Sequence, residues 1–398
     1  MAITNKEEGV WGIDKVFDKQ NEGVWGYDTT QRQLWVWGRN GGYGNLGQNN
    51  RTDYSSPRQV LGDTTEWKYV YSDGETVGAT KNDGTFWVWG RNGNNQMGIG
   101  TPGSRSSPVQ LPGTNWPTEP GKVTFAGMHS AAIKTDGTLW TWGFNSAGRL
   151  GHNQANTSYS SPKQVGSDTT WKTVSLNYEG TYATKTDGTA WSWGWNNNGT
   201  NGGLLGQNNQ TQYSSPRQIP GTTWNHIQTS GNTVLATKTD GTLWCWGSNT
   251  YGMLGLSQSS NNIFESSPKQ IGSDTTWSKS ADKIRTSSRY NAGCMKTDGT
   301  LWTWGRNDYG QLGHNSKTDR SSPRQVGSNE TWSQFSTRHD WCLGLKTDGT
   351  IWTWGRNHQG QLGQSNLTEY SSPRQLGSDT AWSQVQIGKE AGHALKDI

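Results

Sequence analysis

The residue pattern with the most chemical promise is Trp-x-Trp-Gly, which begins at Trp35, Trp87, Trp140, Trp191, Trp244, Trp302 and Trp352. Indole faces stack on sugars and bases, so seven such pairs would make a row of binding platforms. Arginine recurs nearby in two sets. Arg39, Arg91, Arg306 and Arg356 follow Trp-Gly, and Arg58, Arg217, Arg324 and Arg374 follow Ser-Ser-Pro. Together these guanidiniums would suit an acidic partner or an anionic glycan. Singly, each would stack on a neighbouring tryptophan as a cation–π contact, which is the simpler expectation.

Other reactive groups lack the spacing that chemistry needs. Aspartate precedes glycine at residues 83–84, 136–137, 187–188, 240–241, 298–299 and 348–349. Asp-Gly suits a hairpin turn because aspartate tolerates positive φ, so these are turn residues and not a catalytic array. The seven histidines, His129, His152, His226, His314, His339, His358 and His393, show no H-x-x-x-H pattern, and no C-x-x-C accompanies them, so no metal site is expected. His129 and His393 each precede a short strand and are expected to be structural. Gly42-Tyr43-Gly44-Asn45-Leu46-Gly47 matches G-x-G-x-x-G, but no helix follows to receive a dinucleotide. No G-x-S-x-G elbow is present. The expectation is a chain without cofactor or catalytic group.

Composition narrows the class further. Hydrophobic residues are 29% of the 398 and mean hydropathy is −0.91, yet there are 25 Trp and 54 Gly. Disordered chains are poor in aromatics, so this polar chain must fold around tryptophan. A net charge of +4 gives no field suited to nucleic acid, and no apolar run is long enough to enter a membrane. The N-terminus lacks the basic start and apolar stretch of a secretory signal. Cys245, Cys294 and Cys342 are odd in number and sit in strand-like sequence, which suits buried free thiols.

The elements that must position these residues repeat. Trp-x-Trp-Gly returns at intervals of 50 to 58 residues. Each pair is followed by a proline at Pro57, Pro108, Pro162, Pro216, Pro268, Pro323 or Pro373. A lone tryptophan then stands at Trp67, Trp116, Trp171, Trp224, Trp277, Trp332 or Trp382. A period near 50 marks a propeller or solenoid. After Trp171, KTVSL reads as one strand, and TYATK and TAWSWG flank Asp187-Gly188 as a hairpin. A loop of form N-x-x-G-x-L-G leads to Ser-Ser-Pro-Arg-Gln, where proline suits an outer strand. Each unit thus holds four short antiparallel strands. The chain ends on half a unit, Trp382–Ile398, and its repeats start on the other half, Thr29–Gly38. Joined, they make a seventh blade shared by the termini, and closure removes two open sheet edges.

The pattern Gly127-Met128-His129, Ile133-Lys134, Asp136-Gly137, Leu139 to Gly143, Asn145, Gly148 and Leu150-Gly151 resembles the regulator of chromosome condensation repeat family. The resemblance covers residues 28–398 and implies a seven-bladed all-β propeller. The family includes exchange factors, enzyme inhibitors and chromatin-associated proteins, so fold does not name the activity.

Seven register-matched pairs fit packing between blades better than a row of platforms. Trp35, Trp37, Trp87, Trp89, Trp140, Trp142, Trp191, Trp193, Trp244, Trp246, Trp302, Trp304, Trp352 and Trp354 are therefore assigned to the core. Off-pattern residues become the contact candidates. Trp195 replaces the recurring arginine and is expected in an exposed loop, and Trp341 follows His339-Asp340 at a strand start. Insertions at 196–203, 256–266 and 278–293 add Phe264, Arg285, Arg289 and Tyr290 to the partner or glycan candidates.

Residues 1–27 fall outside the repeat. GVWG occurs twice there, around Ile13, Val16 and Phe17, which share one face of a short amphipathic helix. This arm resembles the N-terminal segments of virion proteins of marine tailed bacteriophages. The resemblance implies a non-enzymatic virion structural protein, assembled in the host cytoplasm. Trp11, Ile13, Val16, Phe17 and Trp25 would bind other virion proteins or else dock on their own ring, and the propeller would face a host-surface glycan or protein. The alternatives are a protein-binding regulator of the inhibitor or exchange-factor kind, and a lectin using Trp195 and Trp341.

Overall fold

The computed structural model describes residues 30–60, 66–196, 203–258, 263–328 and 331–398. The arm, with Trp11, Ile13, Val16, Phe17 and Trp25, lies outside the described residues, as do parts of the 196–203 and 256–266 insertions. The described residues form 28 strands in seven four-stranded antiparallel sheets. Blade 1 is closed by the two ends of the chain. Strand β1 (Arg32–Gly38) pairs with β28 (Ala391–Asp397), placing Trp35 opposite Ala394, with β2 (Tyr54–Gln59) and β27 (Trp382–Ile387) outside them. Blades 2 to 7 then follow in chain order. Blade 2 runs β3 (Trp67–Asp73), β4 (Thr76–Lys81), β5 (Phe86–Gly90) and β6 (Arg105–Leu111) from the axis outwards. The expected seven-bladed ring with a shared blade is what forms.

The outermost strand of each blade carries the Ser-Ser-Pro proline, where a missing donor leaves no gap in a ladder. The innermost strands face the axis with a free edge, and the neighbouring blade fills it. Gln384 accepts from the Val70 N–H at 2.9 Å and donates to the Val70 C=O at 2.8 Å. Gln334 accepts from the Val385 N–H at 2.8 Å, and Ser175 from the Thr229 N–H at 3.0 Å. Buried backbone donors rarely stay unpaired, so side chains complete what no further strand can reach.

The two tryptophans of each pair do different work. Trp37, Trp89, Trp142, Trp193, Trp246, Trp304 and Trp354 are fully buried. Six of them donate the indole N–H to a backbone carbonyl in the preceding blade. The acceptors are Gln361 for Trp37, Asn45 for Trp89, Gln96 for Trp142, Leu204 for Trp246, Met253 for Trp304 and Gln311 for Trp354, at 2.8–3.0 Å. The N-x-x-G-x-L-G loop makes that reach possible. A Cβ on Gly44 would lie 2.4 Å from the Ser106 backbone, and one on Gly98 would lie 2.7 Å from the Trp142 indole. Both glycines also have positive φ, +81 and +75.

The first tryptophans, Trp35, Trp87, Trp140, Trp191, Trp244, Trp302 and Trp352, are only half-buried, short of full core burial. Six of them end a relay from the Asp-Gly turn. Thr85 donates its hydroxyl to Asp83 at 2.7 Å and accepts the Trp87 N–H at 2.9 Å, and the same relay recurs through to Asp348, Thr350 and Trp352. In every blade a lysine lies between this ring and the lone tryptophan, as Lys346 does at 3.7 Å from Trp352 and 5.3 Å from Trp332. Lysine, not arginine, is thus the cation on tryptophan. The arginines stack on tyrosine instead: Arg58 on Tyr54, Arg91 on Tyr43, Arg356 on Tyr309 and Arg374 on Tyr370, at 4.5–5.3 Å. The reason is position, since the arginines leave from strand ends and outer edges that the indoles do not reach. The three cysteines are free and buried, as expected.

The indole link can be measured. Trp193 has no acceptor for its N–H, so Trp193→Phe removes ring volume alone, whereas Trp304→Phe also orphans a buried carbonyl. In urea unfolding, Trp304→Phe is expected to cost more than Trp193→Phe by about 1–2 kcal/mol. Equal losses would show that the link contributes nothing.

Candidate functional site

One end of the ring carries the hairpin between the first two strands of each blade and the long loop after Trp-x-Trp-Gly. A single backbone bond joins them in all seven blades. The residue after the glycine donates its N–H to the hairpin residue: Arg39 to Glu390, Arg91 to Glu75, Phe144 to Met128, Trp195 to Glu179, Ser248 to Asn232, Arg306 to Tyr290 and Arg356 to Asp340, at 2.7–3.0 Å. Identical backbone therefore presents seven side-chain pairs of six kinds on one face, Arg–Glu alone occurring twice.

In blades 1, 2 and 7 the pair is a cation and an acid. Arg39 meets Glu390 at 2.7 Å, Arg91 meets Glu75 at 3.2 Å and Arg356 meets Asp340 at 3.5 Å. Neighbouring blades add Lys389 to Glu75 at 3.3 Å and Arg289 to Asp340 at 2.7 Å. Blade 6 pairs Arg306 with Asp308, and its Tyr290 packs on Tyr251 with centroids 5.5 Å apart. Blades 3 and 4 break the pattern with Phe144 and Trp195.

The expected contact residues scatter across this geometry. Arg289, Tyr290, His339 and Trp195 do reach the loop face. Tyr290 and His339 occupy hairpin positions with φ of +69 and +52, and His339 is half-buried, its carbonyl accepting from Ser287 at 2.8 Å and Asn291 at 2.7 Å. Trp195 is half-buried, less exposed than the loop reading implied. Phe264 is half-buried at the start of β18 (Phe264–Gln270), opposite Ser248.

Two assignments are corrected. Trp341 is fully buried and packs with Trp37, Leu343 and Ile351. It sits opposite Gly355 in the ladder, where His129 sits opposite Gly143. That register is between blades, so Trp341 offers no platform. Arg285 turns into the axial channel, not outwards, donating to Ala281 at 2.7 Å and Ile284 at 2.9 Å. There, with Tyr69, Phe125 and Ile387, it lines a cavity of about 80 Å³, room for a few waters.

Sequence reasoning missed Phe144 and Tyr178, the two large exposed aromatics on this face. Phe144 carried a readable signal, since it replaces the recurrent arginine as Trp195 does. Tyr178 carried none, because only the fold lifts that hairpin over Gly127. Among the described residues no group of His, Cys, Asp and Glu could hold a metal.

The RCC1-like domain matches residues 113–397. The chain belongs to the RCC1-like domain family. The regulator of chromosome condensation (RCC1) repeat matches residues 83–133. The propeller is 28% identical to the ultraviolet-B receptor UVR8 of Arabidopsis thaliana over 309 residues, 75% of this chain and 67% of that one. It is 25% identical to the mitochondrial RCC1 domain-containing protein RUG3 of the same plant over 333 residues, 75% of this chain and 71% of that one. In structure it is similar to Prp20p of Saccharomyces cerevisiae, with a TM-score of 0.79 at 15% identity over 95% of this chain and 94% of that one.

The histidines of this RCC1-like ring define an acid limit. Burial holds His226 at about 3 and His393 at about 4, and pushes His129 well below its ordinary value, with the Arg149 charge adding to the effect. The fold keeps these imidazoles neutral while the unfolded chain does not. Stability is therefore complete above about pH 6.5 and drains as pH falls towards 4, by up to about 1.4 kcal/mol per histidine per pH unit. The thermal midpoint should fall between pH 7 and pH 5.5, above the range in which most carboxylates titrate, and His393→Gln should shallow the slope. A flat profile in that window would contradict the assignment.

Proposed function

We propose that the chain is a non-enzymatic interaction propeller, held by its N-terminal arm as a structural component of a tailed-phage particle with the ring facing outwards. The observation that carries the interaction reading is the loop face, where seven side-chain pairs vary on one repeated backbone bond. Variation among the chain's own repeats gathers where the fold does not need uniformity, as in a display scaffold.

The groups that could do chemistry are committed elsewhere. The turn aspartates hold threonines. Burial raises all three thiols, Cys342 to about 12. Relatives support protein binding as the general role, since yeast Prp20p binds Kap60 and has binding properties towards Gsp1p and histones. The particle assignment rests on the sequence of residues 1–27 alone, where Ile13, Val16 and Phe17 stand outside the repeats in a pattern read as similar to that of phage virion proteins.

A second reading is a regulator that grips one soluble cellular protein, a role of the kind the repeat family includes. No exchange-factor or inhibitor residues can be carried over to it. A lectin loses one of its two platforms with the burial of Trp341, leaving Trp195. Deleting residues 1–27 separates the first two. The truncated ring is expected to keep its thermal midpoint and to be missing from purified particles. Normal incorporation would defeat the anchoring assignment, and a stable complex with a single host protein would favour the regulator.

A further inference from the structure

Blades 3 and 4 depart from the rest of the ring in three ways at one place. First, their loop-face positions are aromatic. Phe144 and Tyr178 are 39% and 41% exposed, and Leu367 and Ile398 are the other exposed large apolar side chains among the described residues. Second, these aromatics share one support beneath them. Arg149 lies under them at only 6% exposure, donates to the Tyr178 carbonyl, and sits 5.3 Å from the Phe144 ring and 3.5 Å from the Met128 sulfur. The Tyr178 ring rests on Gly127, where a Cβ would meet it at 3.1 Å. Trp195 adjoins through its bond to the Glu179 carbonyl at 2.9 Å. Third, the frame beneath is altered. The Arg149 carbonyl stands where the other blades accept an indole N–H, yet it accepts the Thr181 hydroxyl at 2.7 Å, and Trp193 is left without a partner. A sequence that gives up a repeated structural bond beneath one exposed patch has a local use for that patch.

The charge around the patch says what fits it. In four ion pairs of the loop face the cation stands out over a sunken acid, whereas in blade 6 Asp308 is 47% exposed beside Arg306 at 22%. The side chains of Arg39, Arg91, Arg289 and Lys389 are 43, 38, 41 and 40% exposed, whereas Glu390, Glu75 and Asp340 are 14, 13 and 0% exposed. The pairs balance internally but present positive groups to a visitor. Of these, Arg91 in the blade before Phe144 stands beside the patch, and an apolar centre with that positive edge is complementary to a protein surface with an apolar anchor flanked by carboxylates.

We propose that Phe144, Tyr178, Trp195 and Met128 form a docking hot spot for a separate protein, one presenting an aliphatic or aromatic anchor within an acidic surround. The assignment rests on the reading of the chain as an interaction propeller, and not on where the ring is mounted. Aromatic anchors over a rigid base suit such a role because little side-chain freedom is lost on binding.

A randomised short-peptide library, panned against the full chain, tests it. Enriched sequences should combine carboxylates with a central aliphatic or aromatic residue. Phe144→Arg and Trp195→Arg restore the residue that four other blades carry, so they should fold with an unchanged thermal midpoint. Each should weaken the selected peptides by about tenfold or more, although each adds a positive charge that attracts acid. Arg91→Gln should weaken binding less and reduce its salt dependence. Enrichment of basic or neutral sequences overturns the proposal, as does indifference to Phe144→Arg. Tighter peptide binding by a chain lacking residues 1–27 would name the arm as occupant, and peptides that dissociate a self-associated chain would name a second copy. Either result overturns the separate partner. Binding that maps to another sector sinks the hot spot while the interaction reading stands; no enrichment at all counts against both.

Discussion

The indole N–H that crosses from one blade to a carbonyl of the blade before it is the contact on which the rest of the ring depends. Burial of apolar area is non-directional and would allow adjacent sheets to slide. A hydrogen bond of 2.8–3.0 Å from a fully buried tryptophan does not. It sets the spacing and angle of neighbouring blades, and the glycines of the N-x-x-G-x-L-G loop supply the close approach it needs. A chain this poor in aliphatic residues has few other means of joining seven sheets. The same contact explains why the motif repeats without drift: each loop must fit the tryptophan of the following blade as well as its own.

Because stability is handled at the junctions, the loop face is released from it. Seven backbone bonds hold that face in register, and the side chains above them are free to differ. Three blades use the freedom for ion pairs whose exposed members are worth little to folding. Two use it for aromatics. At the junction of those two blades the frame itself is modified, with Arg149 in place of a neutral residue and Trp193 unpaired. The axial channel, by contrast, keeps only a small cavity lined by Tyr69, Phe125, Arg285 and their neighbours.

Much of this was legible from residue order. The Asp-Gly turns, the outer prolines and the shared blade follow from short-range chemistry, in which a turn residue or a missing donor acts within a few positions. The cation–π contacts show where that reach ends. Arginine and tryptophan stand close in sequence at Trp35-Val36-Trp37-Gly38-Arg39, yet the arginine reaches Glu390 and the Trp35 indole is capped by Lys396 from another strand. Both partners come from the far end of the chain, brought in by closure.

The sequence by itself determined the period, the strand content and the number of blades, because each rests on patterns of two to fifty residues that no other fold satisfies together. It also marked Trp195 as a departure from a repeat. Only the tertiary structure decided which departures face solvent. Trp341 looked as free as Trp195, but its ladder position opposite Gly355 lies between two packed sheets. Tyr178 carried no mark in the sequence, and only the fold sets its hairpin over Gly127. Exposure is a property of how sheets stack, and stacking is fixed by contacts between residues some fifty positions apart or more.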